Sequence, residues 1–372
     1  MAGERKHIVM IGHKHILSRE GGIEIVVKEL AVRMVKKGYH VICYDRMGEH
    51  VSGGKLSKRN EYEGVLIQPV LTINKKGVAA MSSSFFGALK AAFSNADIIH
   101  FHAEGPAAMS WIPRITGKRI IVTIHGLDWK RAKWGGFASK YIKWGEKQAV
   151  KYADEIIVLS RSVQEYFKKT YGRETEYIPN GVSASQTIPA NLITEKWGLI
   201  RDSYVLFVGR IVPEKGLSYL IEAWKDIKTE KKLVIVGGSS DTQAYMKELK
   251  QLAAENILFT GFQQGRVLEE LYSNAFIYCL PSDVEGMPLS LLEAMSYGNC
   301  CVVSDIPECK EVVDEKAITF VHSDIENLKT TIEQLLNNQE LVYKYKRDAA
   351  NYITNKFNWD NVVERTLEVY LR

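Results

Sequence analysis

Short, near-continuous apolar runs alternate with amphipathic helical runs almost throughout this chain, and the rhythm starts over near residue 200. In the first half, HIVMIG (7–12), HVICYD (40–45), GVLIQPV (64–70), ADIIHFH (96–102), RIIVTIH (119–125) and EIIVLS (155–160) read as strands. In the second half, YVLFVGR (204–210), KLVIVGG (232–238), NILFTGF (256–262), AFIYCLP (275–281), CVVSD (301–305) and AITF (317–320) do the same. Strands that are apolar on both faces and separated by helices belong to parallel sheets covered on both sides. The expected fold class is therefore α/β, with two Rossmann-like parallel-sheet domains facing a central cleft. Residues 1–182 would form the N-terminal domain and 183–357 the C-terminal one. From about 324 the pattern is helical to the end, and 358–372 would form a helix crossing back to the N-terminal domain.

A length of 372 residues suits two domains. No apolar run reaches 18 residues, so no transmembrane helix is expected. The start, MAGERKHIVMIG, lacks the apolar core of a secretion signal, and the five cysteines (43, 279, 300, 301, 309) form no C-x-x-C pair. Both features point to reduced thiols and a cytoplasmic location.

The formal net charge is +5, and residues 128–151 account for it alone: seven Lys or Arg against Asp128 and Glu146. The same segment carries Trp129, Trp134, Phe137, Tyr141 and Trp144. Basic residues mixed with aromatics suit an anionic membrane surface. They equally suit a solvated helix whose aromatic stems pack on the core. No nucleic-acid recognition motif accompanies them, so nucleic acid is not an expected partner.

Ligands of parallel sheets bind beyond the carboxyl ends of the strands, so the strand-to-helix turns carry the functional search. In GHKHILSREGGIE (12–24), Gly21 and Gly22 open a helix whose N-terminus favours an anion. The pattern is not G-x-G-x-x-G, which disfavours a dehydrogenase. His13 and His15 have no evident partner there. His100 and His102 share one face of a strand end and read as core or supporting histidines, since no third metal ligand is indicated. His125-Gly126 ends another buried strand. In VGRIVPEKG, Arg210 and Lys215 can converge on one diphosphate, unless Lys215 simply pairs with Glu214.

The stretch SDVEGMPLSLLEAMSYG (282–298) sets Glu285 in a loop and Glu293 about five residues inside the following helix, with Gly286, Met287, Pro288 and Leu289 between them. Free N–H groups near 287–290 can hold phosphate oxygens. Each glutamate can then accept from hydroxyls on either side, which describes a nucleotide sugar. No D-x-D occurs, so no metal or other cofactor is expected.

These residues resemble those of family-four glycosyltransferases of the GT-B fold over nearly the whole chain. The resemblance rests on Gly21-Gly22 with Glu24, His125-Gly126, IPNGV, VGRIVPEKG and the Glu285–Glu293 spacing. HGLDWKRAKWG is also similar to bacterial enzymes that build capsule or other surface polysaccharides. The resemblance implies a retaining transferase, with the donor in the C-terminal domain and the acceptor in the N-terminal one. It implies that Arg210 and Lys215 stabilise the leaving diphosphate, Glu285 holds the sugar, Glu293 the ribose, and His125 the sugar near its reacting carbon. Gly22 would let its loop close on a phosphate. The implied acceptor is a saccharide, polyprenyl-diphosphate-linked if segment 128–151 binds the inner membrane face. The chain departs from the family at Met287-Pro288 and at Asn299-Cys300, both near the donor pocket. A nucleotide-sugar epimerase and a non-catalytic sugar-nucleotide-binding protein are the rival readings.

Overall fold

The computed structural model describes residues 6–19, 21–48, 60–75, 77–130, 136–238 and 243–372. The chain divides into two compact units, Met1–Asn180 with Trp359–Arg372, and Gly181–Asn358. The joint thus lies two residues before the position read from the sequence.

Unit 1 runs β1 (His7–Ile11), α1 (Gly22–Lys36), β2 (His40–Arg46), β3 (Glu61–Tyr62), β4 (Val65–Val70), α2 (Ala79–Ala92), β5 (Ile98–His102), α3 (Glu104–Ala107), α4 (Trp111–Ile115), β6 (Arg119–Ile124), α5 (Gly136–Tyr152), β7 (Glu155–Val158), α6 (Arg161–Tyr171) and β8 (Glu176–Tyr177). The sheet order is β3-β4-β2-β1-β5-β6-β7-β8. Pairing is parallel except at β3–β4. That hairpin is absent from the sequence reading. It turns through Glu63 and Gly64, both at positive φ (47° and 82°), the geometry that a two-residue type I′ turn demands. Glu is an uncommon residue there, so no turn signal was visible.

Unit 2 runs α7 (Leu192–Trp197), β9 (Tyr204–Val208), α8 (Leu217–Lys225), β10 (Lys232–Val236), α9 (Gln243–Leu252), β11 (Ile257–Gly261), α10 (Arg266–Ser273), β12 (Ile277–Leu280), α11 (Leu289–Ser296), β13 (Cys301–Ser304), α12 (Pro307–Val313), β14 (Ile318–Phe320), α13 (Ile325–Asn337) and α14 (Gln339–Lys356). Its sheet is wholly parallel, in the order β11-β10-β9-β12-β13-β14. Trp224, Tyr204, Tyr278, Phe207 and Phe320 fill its core.

The helical stretch expected from about 324 is three helices, with the last one separate, as the boundary at 358 implied. Asn338 caps α14 by accepting from Leu341 N at 3.0 Å. At Phe357 the chain turns to receive Val182 N–H on its carbonyl at 2.7 Å. The last helix, α15 (Trp359–Leu371), then joins unit 1. Its Trp359 lies beneath the Arg33 guanidinium of α1, and its Tyr370 hydroxyl sits 2.6 Å from His100 Nδ1 inside the sheet core. His100 Nε2 lies 2.7 Å from Thr123 Oγ1, so both ring nitrogens are satisfied without charge. Histidine at this position is a core residue tying α15 to β5 and β6.

Burial, reinforced by nearby His125, pushes the His100 imidazole down to about 3. The unfolded chain takes up a proton below its ordinary value of 6.5 that folded His100 refuses, so this contribution is full above that pH and is lost as pH falls toward 3. Replacing His100→Asn should flatten the dependence of folding stability on pH in that window by about 1.4 kcal/mol per pH unit, read from urea midpoints.

Candidate active site

In unit 2 the strand order reverses between β9 and β12, because successive crossovers build outward from β9 in opposite directions. Such a switch point opens a crevice beyond the strand ends. Two of the expected site segments leave the sheet there, Arg210–Lys215 from β9 and Ser282–Leu289 from β12.

Close approach of the backbone brings them together. Gly216 adopts a left-handed φ of 63°, and a Cβ on it would lie 1.9 Å from the carbonyl oxygen of Pro281. Only glycine lets the turn after β9 pass the end of β12. Asp283 N–H then donates to the Glu214 carbonyl at 2.9 Å. With the two turns pinned, Lys215 Nζ meets Glu285 Oε1 at 2.5 Å. Ser282 Oγ donates to the same oxygen at 2.6 Å. Both side chains are largely buried, at 12% and 7% exposure. Lys215 therefore pairs with Glu285, seventy residues away, and not with its neighbour Glu214, whose carboxylate is buried without a hydrogen-bond partner among the described residues. Arg210 lies half-buried just beyond β9.

The loop that carries Glu285 is braced by residues the sequence reading missed. Ser304 Oγ donates to the Ser282 carbonyl at 2.5 Å. The carboxylate of Asp283 bridges His322 Nε2 at 2.7 Å and the Tyr219 hydroxyl at 3.3 Å. These partners come from β13, from the segment after β14 and from α8, so no local spacing could reveal them. Gly286 and Pro288 are buried, with Met287 and Leu289 partly so. Pro288 is the N-cap of α11, with Leu289 the first helical residue. Glu293 is the fifth residue of α11 and accepts from the Tyr272 hydroxyl at 3.2 Å.

Unit 1 repeats the plan. Its order reverses between β1 and β5. Gly12, at φ 125°, leaves β1 so close to β5 that a Cβ would lie 2.3 Å from the His102 carbonyl oxygen. The buried ring of His13 places Nε2 2.9 Å from Asp45 Oδ1, and His15 Nδ1 lies 3.8 Å from Asp45 Oδ2. Burial works to raise the Asp45 carboxyl. Hydrogen bonds from His13, His15 and the Ile16 amide outweigh it and hold the group at about 2. These two histidines, read from the sequence as partnerless, share a carboxylate at the end of β2.

His102 Nδ1 lies 3.1 Å from His125 Nε2. Burial holds the His102 ring well below its usual range, so it is neutral. Its Nε2 is buried without a hydrogen-bond partner among the described residues. A stranded lone pair costs less than a stranded N–H, which puts the His102 proton on Nδ1 and makes His125 Nε2 the acceptor. In a neutral His125 ring, Nδ1 then carries the proton. His102 thus supports His125, as its place on the strand suggested.

Gly21 is the N-cap of α1, and a Cβ there would lie 2.4 Å from Glu24 Oε2. Glu24 folds back over the start of its own helix, where its Oε1 accepts from Lys14 N at 2.9 Å. An anion at Gly22 would have to share this place with that carboxylate. Among the described residues, no group of three or more His, Cys, Asp or Glu is arranged to hold a metal ion.

Residues 20–186 match the family Glycosyltransferase Family 4, and residues 193–353 match Glycosyl transferases group 1. The UDP-Gal:alpha-D-GlcNAc-diphosphoundecaprenol alpha-1,3-galactosyltransferase of Escherichia coli is 28% identical over 294 residues, 74% of this chain and 75% of that protein. Among solved structures, sucrose-phosphate synthase from Thermosynechococcus elongatus superimposes with a TM-score of 0.85 at 19% identity, covering 99% of this chain and 98% of that one. Anabaena Alr3699/HepE in complex with UDP-glucose superimposes with a TM-score of 0.80 at 16% identity, covering 99% of each chain.

Two outcomes test this geometry. Glu285→Gln should destabilise unit 2 by about 1–3 kcal/mol, and adding Lys215→Met should recover part of that loss, because the second change removes a stranded buried cation. Asp283→Ala should speed hydrogen exchange of the amides at 282–287 by roughly tenfold, as expected for a loop that loses its anchoring hydrogen bonds.

Proposed function

The chain belongs to the glycosyltransferases, its N-terminal part to Glycosyltransferase Family 4 and its C-terminal part to Glycosyl transferases group 1, and from that premise we propose a retaining, metal-independent hexosyltransferase. It moves a hexose or deoxyhexose from a nucleoside-diphosphate sugar to a saccharide acceptor in bacterial surface polysaccharide synthesis. The observation that carries this reading is the Lys215–Glu285 pair at the β9/β12 switch point, ahead of the N-terminus of α11, with Arg210 on the same turn after β9.

In this reading unit 2 takes the donor. Lys215 exchanges Glu285 for a phosphate oxygen, and Arg210 and the first amides of α11 share the remaining diphosphate charge. Glu285, released from Lys215 but still held by Ser282, accepts from the sugar hydroxyls. Glu293, fixed by Tyr272, accepts from the ribose. The bond from the anomeric carbon to the phosphate oxygen breaks as the acceptor oxygen bonds to the same face. The acceptor proton passes to the departing phosphate oxygen, so no enzymic nucleophile is required. Charge developing on the diphosphate is met by fixed cations and amides, which is where most of the rate enhancement arises. Unit 1 takes the acceptor, with His125 oriented by His102. The lipid-linked substrate in the name of the Escherichia coli relative supports a polyprenyl-diphosphate-linked saccharide as acceptor.

The test is release of nucleoside diphosphate from a panel of sugar nucleotides, in EDTA, with and without a lipid-extract acceptor. One donor should react, only with acceptor present, and Glu285→Gln should lower its rate by about 10²–10³. Donor conversion without acceptor would replace the transferase with an epimerase. An EDTA-sensitive rate would overturn metal independence.

A further inference from the structure

We propose that Arg46, together with the N-terminus of α1, forms an anion site in unit 1 that takes the diphosphate of the acceptor, and that Glu24 occupies this place until the acceptor arrives. The proposal rests on the transferase reading above and names the side chain that recognises the diphosphate end of the acceptor.

Backbone hydrogen bonds set the geometry. The loop between β1 and α1 is strapped to the end of β2. There the Ile16 amide donates to Asp45 Oδ1 at 3.1 Å, and the Arg46 amide donates to the Lys14 carbonyl at 2.8 Å. The Lys14 amide donates in turn to Glu24 Oε1 at 2.9 Å. Arg46 and Glu24 are thus joined through the two sides of one residue, which brings the end of β2 to the first turn of α1. That helix runs for 15 residues, so its N-terminus carries a full dipole. Its N-cap is Gly21, which has no side chain to cap the first amides.

Asp45 and Arg46 are adjacent charges with different fates. The Asp45 carboxylate is engaged by His13, His15 and the Ile16 amide. The Arg46 guanidinium is almost enclosed by protein. It has no side-chain hydrogen bond or ion pair among the described residues, and its Nε is buried without a partner. Burial pushes the group down from its usual range, and the negative charge that opposes this shift is Glu24. The guanidinium remains charged. An enclosed cation with unused donors marks a place where a ligand supplies the missing acceptors.

The charge of the resident carboxylate selects that ligand. Glu24 already offers one negative charge, tethered at high effective concentration. A free monocarboxylate gains nothing by replacing it. A diphosphate linked at both ends carries about two negative charges, and its oxygens match the arginine fork in pairs. Lys14 and Arg19, both half-buried in the same loop, add to the positive potential. When Glu24 leaves, the Lys14 amide and the first amides of α1 turn to the phosphate oxygens.

The experiment is calorimetric titration of inorganic pyrophosphate into the full chain carrying Arg210→Ala and Lys215→Met, which disables the cations at β9/β12. Pyrophosphate should still bind. Adding Arg46→Met should weaken that binding by about tenfold or more, Arg46→Lys should weaken it less, and Glu24→Gln should strengthen it by about fivefold. Residual binding that is absent, or indifferent to Arg46, would overturn the proposal, as would weaker binding in Glu24→Gln. Arg46→Met should leave the melting temperature unchanged or raise it, because it removes an unpaired enclosed charge. A lowered melting temperature in both Arg46 variants would make Arg46 a structural residue and overturn the site. In turnover, Arg46→Met should raise KM for a polyprenyl-diphosphate-linked acceptor by about tenfold, with kcat and the donor KM little changed. A raised donor KM with an unchanged acceptor KM would put the donor's diphosphate here and overturn the assignment to the acceptor. The titration requires no turnover, so failure of this site and failure of the transferase reading are read separately.

Discussion

A parallel strand that passes through a helix returns to its sheet in one hand only, and the main features of both units follow from that constraint. A right-handed crossover puts its helix on a face set by its direction, so covering both faces requires crossovers in both directions, and in each sheet the chain starts at an inner strand and builds outward first one way, then the other. The reversal leaves a crevice at β1/β5 in unit 1 and at β9/β12 in unit 2. The same handedness puts α2 and α5 on one face of the unit 1 sheet, with α3 and α4 between them. The two crevices are thus consequences of one topological rule applied twice.

What fills the crevices is governed by the cost of burying charge. Lys215 and Glu285 are each nearly excluded from water, and neither could be so alone. Their pairing satisfies both charges, and in the function proposed above a diphosphate and a sugar diol take over those two roles. A similar economy operates in unit 1. The fully buried Glu146 accepts from Trp129 Nε1 at 3.0 Å, from Lys143 Nζ at 2.6 Å and from the hydroxyls of Tyr166 and Tyr171. Lys143 lies over the rings of Trp129, Tyr166 and Tyr171.

That network explains why the basic aromatic segment could not be resolved from its composition. Part of the segment packs inward, as the core-packing reading expects, and part of it faces outward; Arg131, Lys133 and Trp134 lie outside the described residues. Trp129, Lys143 and Glu146 turn inward, while Phe137, Lys140, Trp144, Lys147 and Lys151 turn outward. Period decides between them, and the composition of the segment carries no period. The strands were legible because apolar runs of this length have few other uses in a mixed α/β chain. The β3–β4 hairpin was not, since its turn uses glutamate at positive φ. Arg210, Lys215, Glu285 and Glu293 were legible as residue types at strand ends. Their partners were not: Ser282 bonds Glu285 from three residues away, but Lys215 does so from seventy, and only the sheet order brings β9 and β12 together.

The two departures from the family pattern differ in what they do to the donor side. Asn299 is buried, and its amide donates to the Tyr272 and Ala294 carbonyls at 2.9 Å each. It closes the end of α11 with side-chain hydrogen bonds, where a Gly-Pro step would rely on backbone geometry. Through Tyr272 the effect reaches Glu293, because the same tyrosine whose carbonyl Asn299 holds directs its hydroxyl at that carboxylate. Tyr272 is also stacked on Tyr297 at 5.4 Å, which fixes its ring from the other side. The residue at 299 therefore preserves the position of Glu293 by another route. Met287 is the other departure. It packs half-buried against the core directly after Gly286, at the sugar end of the stretch. A flexible thioether in place of a rigid aromatic ring changes the wall that a sugar would touch without disturbing a charge. In the donor site proposed above, this step bears on sugar preference while Glu285 beside it keeps its charge.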